Sequence, residues 1–260
     1  MRKWLAAPNA ETADPRAADP LTIGLIALSV DRACIGDCEA WLAPFGDTAL
    51  FSTRVPMSPH TTPDSLRAMG DHLQAAASVL VPGTRLDAIG FACTSGTVAI
   101  GVERVFDSLS AGRPGVPVVT PMTAGVAALN AIGARRISLL VPYEVPTAEI
   151  VADYFEAAGF SLDRCTTFDL PGDPQMNALS PLQLQTAGLT AMHPESDALF
   201  ISCTGLATEG ALAPLERVLR RPVVTSNQSM IWDALRVAGH PDLARGNGAL
   251  FKADRAVADV

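Results

Sequence analysis

One short pattern occurs twice in this chain: an aspartate, an apolar run, and then Cys-Thr followed by small residues. The first copy is Asp87-Ala-Ile-Gly-Phe-Ala-Cys-Thr-Ser-Gly96, and the second is Asp197-Ala-Leu-Phe-Ile-Ser-Cys-Thr-Gly-Leu206. An apolar run of this length that ends at a turn is typical of a buried strand. Cys93 and Cys203 would then lie at the carboxyl ends of two strands, where open α/β sheets bind their ligands. The repeat therefore predicts one cleft with a thiol on each side.

Two further pairs of matched segments extend the repeat in the same order. Ile23-Gly-Leu-Ile26 resembles Ile137-Ser-Leu-Leu140, and Pro117-Val-Val-Thr120 matches Pro222-Val-Val-Thr225. With the alternation of strand and helix patterns, they predict an α/β fold of two pseudo-symmetric, flavodoxin-like halves with parallel sheets and a ligand cleft between them. The expected limits are a tail at residues 1–20, a first half at residues 21–115 plus 223–260, and a second half at residues 116–222.

Local signals predict several individual elements. Thr62 and Pro63 are suited to the N-cap and the first position of a helix, which we expect to run to Ala77. A single helix is predicted behind the first cysteine, over residues 97–109. Residues 170–179 are predicted to form a loop.

Composition excludes several classes of function. The net charge of −8 lacks the basic footprint of a nucleic-acid-binding protein. No apolar run approaches the roughly 20 residues that span a bilayer, and the first residues lack the apolar core of a signal peptide. Five cysteines without an export signal favour free thiols in the cytoplasm, and none has metal-ligand spacing. We expect a cytoplasmic protein with no nucleic-acid, membrane or metal partner.

The residues around the two cysteines favour a chemical role for both thiols. A cysteine that ends a buried strand is often only a small core residue. Here each is followed by a turn that begins a helix, where backbone N–H groups stabilise thiolates and bind anions. Thr94 and Ser95 add two hydroxyls to the first turn, which predicts a carboxylate-binding cradle around a nucleophile. Thr204 and Gly205 form the sparser second turn.

Other catalytic groups are scarce in the sequence. The four histidines fall away from the predicted strand ends, and no GxGxxG, P-loop or HExxH motif is present. Two thiols can carry out acid–base chemistry without a cofactor. One thiolate removes a proton or adds to carbon while the other thiol donates a proton across the cleft. We therefore expect no cofactor.

Taken together, the cysteine motifs resemble the Asp/Glu racemase superfamily of cofactor-independent enzymes with a cysteine from each α/β half. Gly90-Phe-Ala-Cys-Thr-Ser-Gly-Thr97 and Ile201-Ser-Cys-Thr-Gly205 are most similar to maleate cis–trans isomerases, and within them to the ectoine-utilisation protein A branch. The resemblance extends from Ile23 to about Ala238. Arylmalonate decarboxylase is a more distant resemblance, because it keeps only the second cysteine.

The resemblance implies roles for individual residues. Cys93 corresponds to the nucleophile and Cys203 to the proton-transferring cysteine. Thr94 and Ser95 match carboxylate-binding positions, and Tyr143 matches a substrate-binding tyrosine. The resemblance also implies a small carboxylate or amino-acid-like substrate and a homo-oligomer, either a dimer or a tetramer.

One departure from the family pattern concerns the end of the first strand. Maleate isomerases carry a carboxylate-binding Asn there, whereas this chain continues from Ser29 to Asp31. We count both among the substrate-binding candidates. A carboxylate facing a dianionic substrate costs about 1 kcal/mol or more, so Asp31 would suit a substrate amine better. The alternative is that Asp31 turns outward and caps the following helix.

These observations leave three functions open. The leading hypothesis is a two-cysteine isomerase, either a cis–trans isomerase or a racemase, with a possible role in ectoine catabolism. A decarboxylase of the arylmalonate type is the second, and a ligand-binding protein without catalysis is the third. Binding alone needs no second sulfur, which favours an enzyme.

Overall fold

The computed structural model describes residues 20–240, 243 and 245–253. The predicted tail at residues 1–20 therefore lies outside the described residues except for Pro20. Within the described chain, no helix is both long enough and apolar enough to cross a membrane.

The described chain folds into two parallel four-stranded sheets with the same strand order. In the first sheet, β2 lies outermost beside β1, followed by β3 and β4; in the second, β6 lies outermost beside β5, followed by β7 and β8. The strands are β1 Leu21–Leu28, β2 Thr48–Val55, β3 Ala88–Phe91, β4 Val118–Val119, β5 Arg136–Tyr143, β6 Ser161–Leu170, β7 Ala198–Ile201 and β8 Val223–Thr225. The prediction of two pseudo-symmetric α/β halves is confirmed.

The register of the central strands matches the sequence repeat. Ile23 pairs with Ala88 in the first sheet, and Ile137 pairs with Ala198 in the second. The repeated aspartates fix this register rather than serving the cleft. The Asp87 carboxylate accepts a hydrogen bond from Thr22 N at 2.8 Å, and the Asp197 carboxylate accepts bonds from the amides that begin β5.

Helices cover the sheets, and two of the predicted ones are divided. The helices are α1 Cys34–Leu42, α2 Pro63–Ala68, α3 Leu73–Ser78, α4 Thr94–Ile100, α5 Val102–Gly112, α6 Pro121–Ala131, α7 Val145–Ala157, α8 Asp173–Met176, α9 Pro181–Ala191, α10 Glu209–Leu219 and α11 Ser226–Val237. Thr62 forms the predicted N-cap, but a 3₁₀ turn at Met69–His72 separates α2 from α3. Gly101, with φ of 96°, separates α4 from α5, since that left-handed conformation cannot continue a helix.

The final helix of each half packs across the junction between the halves. An added Cβ on Gly125 of α6 would lie 2.8 Å from the Phe200 ring of β7, so α6 packs closely on the second sheet. Conversely, Met230 of α11 packs over Gly90 of β3. The boundaries between the two halves lie a few residues from the predicted limits, because β4 belongs to the first sheet and β8 to the second. The chain crosses between halves after each fourth strand rather than before it.

Candidate active site

Both predicted cysteines lie at the carboxyl ends of corresponding strands. Cys93 follows β3 and is the N-cap of α4, where its Sγ accepts a hydrogen bond from Gly96 N at 3.2 Å. Cys203 follows β7, and its Sγ accepts from Gly205 N at 3.3 Å. Cys203 has φ of 105°, a backbone conformation that costs a non-glycine residue about 1–3 kcal/mol and is concentrated at functional sites.

The two thiols face one small cavity between the halves. Cys93 is 5% and Cys203 6% exposed, and the space between them admits the centre of a water-sized molecule over about 10 Å³. That volume holds about one water, so a substrate must part the cavity wall to bind. The wall is formed by Leu28, Met57, Thr61, Leu66, Cys93, Thr94, Ser95, Tyr143, Asp173, Met176, Cys203 and Thr204.

The hydroxyl groups predicted at the two cysteine turns have different partners in the structure. The Thr94 hydroxyl donates to Ser226 Oγ at 2.8 Å, and the Thr204 hydroxyl donates to Ala92 O at 2.8 Å. Both therefore connect the two halves as well as lining the cavity. Ser95 is buried and lines the cavity beside Cys93. Gly205 contributes its amide to Cys203 rather than lining the cavity.

Tyr143 lies at the end of β5 and is 2% exposed. Its hydroxyl is 3.4 Å from Ser202 Oγ, and the phenol lines the cavity together with Cys203. Burial, followed by the two neighbouring cysteines, raises the pKa of Tyr143 well above its ordinary value. The phenol is therefore a neutral hydrogen-bonding group beside the second thiol.

Ser29 and Asp31 occupy different environments from those expected of substrate-binding residues. Ser29 is exposed, accepts from Met57 N at 3.0 Å, and does not line the cavity. Asp31 Oδ1 accepts from the Ala33 and Cys34 amides at the start of α1, although the N-cap residue of that helix is Ala33. Asp31 is 2% exposed rather than turned outward, and among the described residues its Oδ2 has no hydrogen-bond partner.

Asp173 lines the cavity, a position that the sequence did not predict for it. The predicted loop at residues 170–179 contains α8, and Asp173 at its start is 4% exposed. Burial, and then the charge of Asp31, raises the pKa of Asp173 to about 6. Gly172-Asp173-Pro174 is typical of a helix start, but no local signal indicates that this helix reaches the cavity.

Both thiols are protonated in the closed site at neutral pH. Burial first, and then the charge of Asp173, raises the pKa of Cys93 to about 12, although Gly96 N and the Ser95 hydroxyl act in the opposite direction. The same two causes raise the pKa of Cys203 well above its ordinary value. The predicted amide bonds to sulfur are present, but burial outweighs the thiolate stabilisation expected from them. Ionisation of either thiol therefore depends on what enters the cavity.

The pH dependence of Cys93 alkylation tests this electrostatic account. In the ligand-free protein, the rate constant for iodoacetamide is expected to rise about tenfold per pH unit from pH 7 to 10 with no plateau, because the thiolate is the reactive form. Peptide mass spectrometry would follow Cys93, with glutathione as a reference thiol. A plateau by pH 8 would contradict the raised pKa of Cys93.

A buried polar network holds the second cysteine loop against the first half. Asp37 of α1 accepts hydrogen bonds from Thr208 Oγ1, Glu209 N and Asn227 Nδ2, each at 2.9 Å, and from Trp41 Nε1 at 3.3 Å. Asn227 also donates to the carbonyls of Thr204 and Leu206. The position of Cys203 therefore depends on side chains from both halves.

Ser226, the residue before Asn227, contacts both cysteine turns. Its hydroxyl oxygen accepts from Thr94 Oγ1 and from Cys203 N, the latter at 3.0 Å. Across the described residues, no group of three or more His, Cys, Asp and Glu side chains is arranged to hold a metal ion. The chemistry available to this site consists of two opposed thiols, a neutral phenol and a buried carboxyl.

Comparison with known proteins places this geometry in a family. The sequence model of the arylmalonate decarboxylase family matches residues 73–251. Arylmalonate decarboxylase from Bordetella bronchiseptica is 30% identical over 181 residues, which cover 68% of this chain and 72% of the decarboxylase. Maleate isomerase from Nocardia farcinica is 28% identical over 247 residues, which cover 90% of this chain and 97% of the isomerase.

A solved structure shows the same fold. It is a cysteine-to-serine variant of the Nocardia farcinica maleate cis–trans isomerase with a covalently bound succinylcysteine intermediate. It superposes with a TM-score of 0.82 at 23% identity and covers 90% of this chain and 98% of that chain. Its similarity extends over both halves of the described fold.

Proposed function

The chain belongs to the arylmalonate decarboxylase family, which includes its maleate isomerase relatives, and on that premise we propose that it is a cofactor-independent two-thiol isomerase. Its substrate would be a small carboxylate or an amino-acid-like compound. The observation that carries the proposal is that Cys93 and Cys203 face one cavity from corresponding positions in the two halves. A substrate held between them would present one face to each sulfur.

Two reaction courses fit this arrangement. In a racemase, one cysteine as thiolate takes the α-proton, the bond electrons pass into the carboxylate as an enediolate, and the opposite thiol protonates the other face. In a cis–trans isomerase, the Cys93 thiolate adds to the double bond, the resulting single bond rotates, and elimination restores the thiolate and gives the trans product. The succinylcysteine in the solved Nocardia isomerase supports the second course for that relative.

In either course the cavity supplies the same protein groups. Gly96 N and Gly205 N point at the two sulfurs, so negative charge on either would be met by a fixed donor. The Tyr143 hydroxyl lies beside Cys203 and would hydrogen-bond whichever form of that thiol is present. The nearly closed cavity would keep water from the intermediate.

Decarboxylation is a second candidate, favoured by the match to the decarboxylase family over residues 73–251. Loss of carbon dioxide from a malonate would leave an enediolate that one thiol, Cys203, could protonate. That reaction gives the first thiol no role, and Cys93 is buried in the cavity with a directed amide bond. We therefore rank decarboxylation second and ligand binding without catalysis third.

Proton NMR in D₂O distinguishes these candidates. The purified protein would be incubated in turn with maleate, aspartate, 2,4-diaminobutyrate and phenylmalonate. Fumarate from maleate indicates cis–trans isomerisation, deuterium at an α-carbon indicates racemase-type proton transfer, and phenylacetate indicates decarboxylation. The isomerase proposal expects the first or the second result. Turnover of phenylmalonate alone would replace it with decarboxylation.

Three further expectations from the sequence continue as proposals. A homo-oligomer is supported by the edge position of β6 and by the exposed Leu182 and Leu189 on the neighbouring α9. A cytoplasmic location is supported by the free cysteines of the described chain. A role in ectoine utilisation rests on the motif resemblance.

A further inference from the structure

We propose that Asp173 determines substrate specificity by binding an ammonium group, so that the cavity accepts an amino-acid-like carboxylate in preference to an unsubstituted dicarboxylate. This inference rests on the proposed function, because it assigns the substrate class of the same cavity. It moves the role of amine partner from Asp31, where the sequence suggested it, to a residue that lines the cavity.

The position of Asp173 supports this role. Its side chain reaches the cavity from α8, and its charge acts on both Cys93 and Cys203. Its hydrogen-bonding capacity is only partly used, since Thr61 Oγ1 donates to Oδ2 at 3.3 Å. An ionised carboxylate offers about four acceptor sites. An ammonium group beside the thiols would use the acceptors that remain.

The charge of the cavity also favours the binding of an ammonium group. Among the described residues that line it, none is Lys, Arg or His, and Asp173 is the charged one. The neighbouring Asp31 adds a second carboxylate within electrostatic range, and its buried Oδ2 has no partner among the described residues. The guanidinium of Arg54 acts on Asp31 and donates to the carbonyls of Leu28 and Asp31, and Arg54 does not line the cavity. A dicarboxylate would therefore add charge to a site that is already negative, whereas an ammonium would offset it.

The remaining donors suit the carboxylate of such a substrate. The hydroxyls of Ser95 and Tyr143 line the cavity and are neutral. They can donate to a carboxylate without adding charge. The cavity thus combines neutral donors for one end of an amino acid with an anionic acceptor for its ammonium group.

Protection of Cys93 from alkylation tests the inference without requiring turnover. Aspartate and succinate share a carbon skeleton and differ by one ammonium group. In the wild-type protein, the concentration of aspartate that halves the rate of Cys93 alkylation by iodoacetamide is expected to be at least tenfold lower than the corresponding concentration of succinate. In Asp173→Asn, that preference should fall at least tenfold. Asp107→Asn, which removes an exposed carboxylate from α5, should keep the wild-type preference.

Asp173→Ser provides a second neutral replacement if the Asn variant is unstable. Equal protection by the two ligands in the wild-type protein, better protection by succinate, or an unchanged preference in both Asp173 variants would overturn the assignment. The outcome is separable from the proposed function. If aspartate protects Cys93 as expected but no substrate turns over in D₂O, the ammonium site is retained and the isomerase is rejected. If maleate turns over in a cysteine-dependent way but succinate protects better than aspartate, the isomerase is retained and the ammonium site is rejected.

Discussion

Replacing either Cys93 or Cys203 by alanine is expected to lower turnover of the substrate identified in D₂O by at least about 10³-fold, because groups that act as a unit fail together. The two thiols face one cavity, and no described residue that lines it is a histidine. Initial rates by NMR, at equal concentrations of folded protein, measure the effect. A double alanine variant should be no slower than either single variant by more than a few fold.

Cys165→Ala is the matched control for these variants. Cys165 is an exposed cysteine on the edge strand β6, away from the cavity. Its replacement should leave the rate within about twofold of the wild type. A Cys93 variant that retains most of the activity would remove this thiol from the mechanism and favour decarboxylation through Cys203 alone.

Asp37→Ala is expected to destabilise the protein by about 3–5 kcal/mol, because four buried donors would lose one common acceptor. Those donors come from α1, from the start of α10 and from α11, so the loss would affect both halves. Urea unfolding followed by circular dichroism measures the change. A loss of this size is a large fraction of the stability of an ordinary domain.

Two further variants provide an intermediate case and a control for that result. Asp37→Asn keeps part of the acceptor capacity and should lie between Asp37→Ala and the wild type. Asp153→Ala removes an exposed carboxylate from α7 and should change the free energy of unfolding by less than about 0.5 kcal/mol. A loss below 1 kcal/mol for Asp37→Ala would mean that the network does not join the halves energetically.

The placement of the two thiols could be predicted because it follows from a local and repeated signal. Short apolar runs after Asp87 and Asp197 gave strands whose carboxyl ends carry the cysteines, and parallel strands bring those ends to one edge of a sheet. The repeat also predicts that the two halves share one architecture, which the matching strand orders of the two sheets confirm. The aspartates themselves tie the start of each strand to the strand beside it.

The acidic character of the cavity could not be predicted from a local sequence pattern. Asp173 begins a helix of only four residues and does not follow a strand end. Its buried carboxylate accepts a hydrogen bond from Thr61, a residue that is distant in sequence. The pKa of Cys93 was misjudged for a related reason, because local amide bonds were visible in the motif while the burial that outweighs them was not. Asp31 combines a local and a long-range feature, since its Oδ1 accepts from the amides at the start of α1 and the residue is also buried beside Asp173.

The observed limits of the halves differ from the predicted ones at β4 and β8, which stay in the first and the second sheet respectively. The predicted limits assigned residues 121–131 to the second half and residues 226–237 to the first. In the structure α6 packs on the second sheet through Gly125 and Phe200, and α11 packs on the first through Met230. This exchange buries the junction and brings Ser226 and Asn227 to the cysteine turns. The cavity is therefore built jointly by the two halves rather than enclosed between two independent units.

The most direct test of the two-thiol account follows aspartate in D₂O with wild-type protein and with each cysteine-to-alanine variant. Proton NMR would report loss of the α-proton signal, and chiral chromatography would report the opposite enantiomer. The racemase course, with the ammonium site, predicts exchange and inversion in the wild-type protein and neither process at a comparable rate in either variant. Exchange and inversion that survive the loss of one thiol would contradict it.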